Sequence, residues 1–500
     1  MSATTKSAAR AINRAEIVDK NFTAFVESWE EEQPSRPALD APLVDGKPLT
    51  GGEFLELFES QMLSRHLDLI ARAMRLRNEG FYTIGSSGHE CNAVIGRLAR
   101  HTDPAFLHYR SGGFMMERAR HVPGIDPVYD TALSLAASAE DPISGGRHKV
   151  WGSLPLWVPP QTSTIASHLP KAVGTAVAIA QAQRLKVLPV PADSIVIASF
   201  GDASANHSTA LGAFNAAQWT AFQKLPAPIL FVCEDNGIGI SVQTPEGWIE
   251  ANFKTRPGLR YFQADGLDLF DTHAVADEAI RWCRTHRQPV FLHLKLKRLL
   301  GHAGTDFETE YRSVAAVEAT EAQDPLLLAA ETALETGLLT PAEVLDQYEA
   351  ARERVANAAD KAAARPKLTS AEEVIAPLAP YHPDAVNAEA TRADYNEARD
   401  KAFGGRRPEN DPPRHLAIQI NRVLFDVMAK YPQATIFGED VAQKGGVYTV
   451  TTGLMQTFKS LRVFNSLLDE QTILGMAQGA AYMGLMPIPE IQYLAYFHNA

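Results

Sequence analysis

The sequence predicts an α/β protein, with parallel sheets flanked by helices and two domains of similar type joined by a linker. Three observations predict it. The segments SIVIASF (194–200), PILFVC (228–233) and PVFLHLKLKR (289–298) are short apolar runs, as parallel strands buried on both faces require. Each runs into a polar, glycine-containing turn, namely GDAS, EDNGIG and GHAGTD, so three strands end at one edge, where open α/β sheets bind their ligands. Strand, turn and helix alternate again after His415, in LAIQINRVLFDVMAKY, ATIFGED and QKGGVYTV.

Residues 1–50 are polar and punctuated by proline, and read as an N-terminal arm. Its first residues carry Lys6, Arg10 and Arg14 with no acid before Glu16. They lack an apolar core segment, so they read as a tail before the first helix rather than a secretory signal, a transit peptide being the weaker alternative. From Gly51, GGEFLELFESQMLSRHLDLIARAMRL has helical spacing and opens a domain over 51–330. Residues 331–412 read as a helical and Pro/Ala-rich linker, because 360–412 mix alanine, proline and charge with little periodicity. The last domain, 413–500, reads as incomplete at its C-terminus, since no closing helix follows the strand-like IQYLAYF. Residues 471–489 carry no formal charge but contain Gln471, Thr472 and Gln478 between Glu470 and Glu490. A buried helix running into a turn suits them better than a membrane span.

Composition narrows the function. A net charge of -12 disfavours a broad nucleic-acid footprint and adhesion to anionic membranes. The three cysteines, Cys91, Cys233 and Cys283, are too few and too scattered for a disulfide scaffold or a cysteine-rich zinc site. They fit a reducing compartment, and the expectation is a cytoplasmic protein, with the mitochondrial matrix less favoured. Neither GxGxxG nor a Walker loop occurs.

The strongest local signal is Asp202 after one strand and Asn236 after the next. Mg²⁺ takes oxygen ligands and keeps room for phosphate and water. Asp202 offers a carboxylate, Asn236 an amide oxygen and Ile238 a backbone carbonyl. A blander account has Asp202 capping the following helix and Asn236-Gly237 making a turn.

These residues resemble a known family. Gly201-Asp202-Ala203-Ser204, followed by Asn236-Gly237, resembles the thiamine-diphosphate motif, and FNAAQW with the strand before EDNG resembles the alpha subunit of 2-oxo acid dehydrogenase complexes. Two departures stand out: Ala203 replaces a glycine, and Asp202 and Asn236 are separated by 34 residues, a longer interval than usual. The extra residues fall near Thr220 to Lys224, where a helix–strand connection can absorb them. FLHYR at 106–110 resembles the segment whose Tyr109 and Arg110 would contact the diphosphate, a role suited to the guanidinium fork. Arg298, Gly301, His302 and Asp306 match RxxGHxxxD, whose histidine would reach the cofactor phosphate and the substrate. QTSTIASHLPKAVGTA matches the helix start under the thiazolium, with Ile165 as the apolar wedge. Ser87-Gly88-His89-Glu90 matches a similar family turn and carries no assigned role.

GEDVAQKGGVYTVTTGL, RVFNSLLDEQTILGMAQGAAYMGL and IPEIQYLAYF resemble, in order, the start of the beta subunit of the same enzymes. Glu470 would then hydrogen-bond the aminopyrimidine and act as a catalytic residue with His302. Tyr496 would stack on the ring, Gln492 would bond its edge, and Glu439 would connect to Glu470. Without that context Glu470 reads as an acid at a helix N-terminus. The resemblance implies a fused alpha–beta chain with the thiamine-diphosphate-binding fold, holding thiamine diphosphate and Mg²⁺. It implies oxidative decarboxylation of a 2-oxo acid and transfer of the acyl group to a lipoylated acyltransferase partner. It also implies a homodimer or larger assembly, since the family's cofactor lies between subunits. A transketolase-like or acetoin-cleaving enzyme and a catalytically silent scaffold are the alternatives. Branched-chain acids are preferred over pyruvate, on the hint that Phe114, Met115 and Met116 line an apolar pocket.

Overall fold

A computed structural model describes residues 13–30, 35–161 and 164–500. The tail reading of residues 1–12, and positions 162 and 163 of the QTSTIASHLP stretch, lie outside these described residues. Five parallel strands form the larger sheet: β1 (Ala105–Phe106), β2 (Val196–Gly201), β3 (Ile229–Asp235), β4 (Arg260–Asp265) and β5 (Val290–Lys295). Their order is β1-β2-β3-β5-β4. Alternate residues face opposite sides. Ile197, Leu230, Val232 and Leu292 enter one apolar core, while Val196, Ala198, Phe200, Phe231 and Phe291 enter another on the opposite face. A sheet covered on both faces explains why its strands read as continuous apolar runs.

Helix α1 (Arg14–Glu27) precedes α2 (Gly51–Leu76), which starts where a capping box closes it: Thr50 accepts from the Glu53 N–H, and Glu53 accepts from the Thr50 N–H. Helices α3 (His168–Leu185) and α4 (Ser208–Phe222) cover the second face, and α5 (Leu269–His286) lies against the first. The expected linker divides in two. Residues 341–363 form α6 (Pro341–Ala363), which packs on α2 and carries buried Val344, Tyr348 and Val355 into the first core. Tyr348 stacks on Phe22 of α1 at 4.2 Å, so α6 belongs to the first domain. Its alanines hid this in the sequence, because a face of small residues gives a weak apolar period. The three short helices over 371–402 bury no residue, and that stretch is the connecting segment.

The second domain comprises α7 (Leu416–Lys430) and a parallel sheet of β6 (Ala434–Gly438), β7 (Val463–Asn465) and β8 (Met486–Pro489) in the order β7-β6-β8. Helix α8 (Glu470–Tyr482) is followed by a turn and then by β8, and no helix among the described residues is long and apolar enough to cross a membrane. The strand-like IQYLAYF differs from expectation. It ends in a 3₁₀ turn over Leu494–Asn499 with Leu494 and Phe497 exposed. β6 is already flanked by β7 and β8, and the turn joins neither sheet.

The two domains meet where α8 packs along α3. A Cβ on Gly475 would strike Pro170, one on Gly174 would strike Met476, and one on Gly479 would strike Lys171 and Thr175. Thr175 Oγ1 donates to the Gly479 carbonyl at 3.1 Å. The paired positions rise together, so the helices run in the same direction and their N-terminal ends emerge on one side. Only glycine permits so close an approach of two backbones.

Candidate active site

The register places Gly201 opposite Glu234, so Asp202 and Asn236 leave adjacent strand ends. β1 leads into His108-Tyr109-Arg110 at the same edge, and the chain after β5 reaches Arg298 and His302. These residues line one cavity of about 360 Å³, together with Ile165, Gly201, Ala203, Ser204, Ile238 and Gly239. The cavity thus gathers every site residue expected from the first domain.

Asp202 is 1% exposed and makes no capping bond to the 3₁₀ turn that follows it. Its carboxylate instead accepts from the Thr244 hydroxyl. Burial pushes the Asp202 carboxyl upward, Thr244 opposes this, and Asp235 adds to the rise. A buried carboxylate beside a second acid is where a cation relieves the cost of burial. Asn236-Gly237 does make the turn: Gly237 has φ +76°, and Asn236 Oδ1 accepts from the Ile238 N–H at 3.1 Å. Ala203 is accommodated by Gly239, since a Cβ there would strike the Ala203 methyl. The long interval lies in the end of α4 and the turn after it, where Phe222 is exposed, at the edge of the sheet away from the cavity.

In the same cavity, Arg110 donates to the Gly85 carbonyl and approaches His302 Nδ1 at 3.2 Å. A guanidinium only donates, so Nδ1 accepts and the ring proton sits on Nε2. Burial, then Arg110 and Arg298, lower the His302 pKa to about 4, which leaves the imidazole neutral near pH 7. Asp306 fixes the loop by accepting from the His302 N–H at 2.6 Å and from Tyr311 at 2.8 Å. The Arg110 guanidinium lies over the Tyr109 ring at 5.1 Å. Arg298 donates to the Ile240 carbonyl, while its Nε and His108 Nε2 are buried without a partner. Cationic groups and unpartnered nitrogens, together with Asp202, Asn236 and the Ile238 carbonyl in the same cavity, form a donor set suited to a Mg²⁺-bound diphosphate.

The second domain contributes separately. Glu470 is 6% exposed in the first turn of α8, beside Asp469, whose carboxylate accepts from Thr472. Thr209 Oγ1 donates to Gln471 Oε1 at 2.6 Å, which ties this helix start to α4. Burial and then the Glu470 charge push the Glu439 carboxyl upward, so the two acids are neighbours. Gln492 Nε2 donates to Asp440 at 3.0 Å. Tyr496 lies in the exposed final turn with its ring edge on Tyr493 at 5.4 Å, and none of Glu439, Glu470, Gln492 and Tyr496 lines the cavity. Within one chain the two domains meet at the packing of α8 on α3.

Sequence reasoning missed several residues. Glu234 and His89 are buried behind Asn236, Thr244 holds Asp202, and Glu490 adds a third acid near Glu439. Glu90 is part of an ion cluster, accepting from Arg65 Nε at 2.7 Å while Arg65 also grips Asp324. Phe114, Met115 and Met116 all lie in the first core, so they say nothing about the substrate.

Comparison with known proteins agrees with this geometry. The family described as "Dehydrogenase E1 component" matches residues 60–371, and "Transketolase, pyrimidine binding domain" matches 417–500. The human "2-oxoisovalerate dehydrogenase subunit alpha, mitochondrial" is 28% identical over 278 residues, covering 54% of this chain and 58% of that protein. The "3-methyl-2-oxobutanoate dehydrogenase subunit beta" of Mycobacterium tuberculosis (strain ATCC 25618 / H37Rv) is 47% identical over 81 residues, 16% of this chain and 23% of that subunit. The "Pyruvate dehydrogenase E1 component subunit alpha" of Rhizobium meliloti (strain 1021) is 29% identical over 179 residues, 35% of this chain and 50% of that subunit. The chain therefore spans between about a quarter and about three fifths of these three relatives. With more than half of its length matched by one family, and with both of its domains thiamine-diphosphate-binding folds, this chain belongs to the dehydrogenase E1 component family.

Proposed function

We propose that the chain decarboxylates a branched-chain 2-oxo acid with thiamine diphosphate and Mg²⁺, and passes the acyl group to the lipoyl group of an acyltransferase partner in the cytoplasm. One observation carries the reading: a single cavity beyond the strand ends is lined by the cation-ligand set Asp202, Asn236 and Ile238 together with Tyr109, Arg110 and His302. The names of the relatives, 2-oxoisovalerate and 3-methyl-2-oxobutanoate dehydrogenases, favour a branched acid. Three buried free cysteines suit a reducing compartment.

Asp202, Asn236 and the Ile238 carbonyl would hold Mg²⁺. Tyr109, Arg110 and His302 would hold the diphosphate, Arg110 by its fork and neutral His302 as an Nε2–H donor. Ile165 would support the thiazolium. Bound thiamine diphosphate supplies an electron sink for the pair left when the carboxylate departs as carbon dioxide. Glu470 would hydrogen-bond the pyrimidine nitrogen and keep a proton there. Because the N-terminal ends of α3 and α8 emerge together, one chain would supply both ends of the site.

The test is reduction of an artificial electron acceptor by the chain with Mg²⁺ and thiamine diphosphate, using pyruvate, 2-oxoglutarate and 3-methyl-2-oxobutanoate. The expected result is preference for 3-methyl-2-oxobutanoate, with turnover falling about 10²–10⁴-fold in Glu470→Gln. Preference for another acid overturns the substrate assignment, and no turnover with any acid despite bound cofactor overturns the activity.

A further inference from the structure

His89 and Glu234 stand behind the cation ligands, and neither has a part in the reaction as proposed. Both are fully buried, and Glu234 closes the apolar strand β3. A charged group is kept in such a place only where it is hydrogen-bonded. Glu234 Oε2 lies 2.7 Å from His89 Nδ1. On the other side of the ring, His89 Nε2 lies 3.0 Å from the Asn236 amide nitrogen.

The chemistry of these three groups fixes their hydrogens. A carboxylate only accepts, so His89 Nδ1 carries the ring proton. Nε2 then holds a lone pair and can only accept, which requires the Asn236 NH₂ and not its oxygen to face the ring. Asn236 Oδ1 is thereby turned the other way, where it accepts from the Ile238 N–H at 3.1 Å and keeps a second lone pair. A flipped amide would present two hydrogens to a cation instead of an oxygen. From this we infer that His89, oriented by Glu234, is a positioning residue that holds the Asn236 amide oxygen toward Mg²⁺. The inference rests on Asn236 being a Mg²⁺ ligand.

Partners behind a metal ligand typically govern affinity by about 10–100-fold. His89→Leu removes the acceptor. His89→Gln restores an oxygen toward Asn236 and an NH₂ toward Glu234. Isothermal titration of the full chain with Mg²⁺, at fixed thiamine diphosphate, should show half-saturation raised at least about 10-fold in His89→Leu and within about 3-fold of the parent in His89→Gln. The control Asn236→Ala should weaken Mg²⁺ at least as much as His89→Leu. An unchanged Mg²⁺ requirement in His89→Leu, with a weakened Asn236→Ala, overturns the role of His89 and leaves the Mg²⁺ assignment standing. An unchanged requirement in Asn236→Ala overturns both. If His89→Leu does not fold, ¹⁵N NMR of His89 in the parent decides: the Nδ1–H tautomer is expected, and the Nε2–H tautomer overturns the inference.

Discussion

Asp202 carries a charge into a buried place where the Thr244 hydroxyl and the Asp202 and Asn236 backbone N–H groups are its partners, which is still expensive for a carboxylate unless a cation joins it. Asp202→Asn keeps an oxygen for Thr244 and removes the charge. Thermal unfolding without Mg²⁺ should then be unchanged or shift upward, while the Mg²⁺ needed to bind thiamine diphosphate should rise at least about 10-fold. A lower melting temperature without any change in Mg²⁺ requirement would make Asp202 a structural residue. Arg65 illustrates the opposite case at this scale. It is fully buried between Glu90 and Asp324, and burial with Asp324 beside it pushes the Glu90 carboxyl up to about 7 against the pull of Arg65. Arg65→Met leaves two acids buried without their cation and should cost about 3–5 kcal/mol in urea unfolding. A cost under about 1 kcal/mol would show that the acids are protonated or reach water.

At the scale of elements, the decisive contact is α3 on α8. Gly479 sits against the Lys171 and Thr175 backbone, so Gly479→Ala forces the helices apart. It should destabilise the junction by about 1–3 kcal/mol and lower turnover, while Mg²⁺ binding at the cavity of the first domain is retained. Loss of Mg²⁺ binding in this variant would mean that the first domain depends on the second. The elements also show what a sequence can reveal. The runs ending in Asp202, Asn236 and the His302 loop were legible because strands buried on both faces are almost wholly apolar, and a polar turn marks where they reach solvent. Glu234 was not legible. It is one residue from the end of such a run, and its partners His89 and His108 come from segments more than a hundred residues away. The helix over 341–363 looks like linker in sequence because alanine packs as core yet scarcely marks a face. The final turn that carries Tyr496 was not legible, since no local pattern separates an exposed turn from a strand.

At the scale of the whole molecule, buried histidines make stability fall with acidity. Burial, with Arg352 next, lowers His66 to about 3, and burial lowers His168 to about 4, both from 6.5. His168 already donates from Nε2 to the Ser199 carbonyl at 2.7 Å and has a buried, unpartnered Nδ1. Between pH 6.5 and about 4 the unfolded chain takes up protons that the folded chain refuses, so stability falls as pH is lowered through that window. Melting curves should decline across it, less steeply in His168→Gln, and a stability maximum below pH 5 would contradict this.

In the proposed function one chain supplies both ends of one cofactor site. Co-expression of differently tagged Asp202→Asn and Glu470→Gln chains, with decarboxylation assayed on purified complexes that contain both, decides whether it does. At a Mg²⁺ concentration that just saturates the parent, each variant alone should fall close to background. If each site is built within one chain, every site in the mixed complex carries a lesion and activity stays at background. Recovery toward about half of parental activity would contradict the claim, because a two-fold assembly with sites shared between chains restores one site in two.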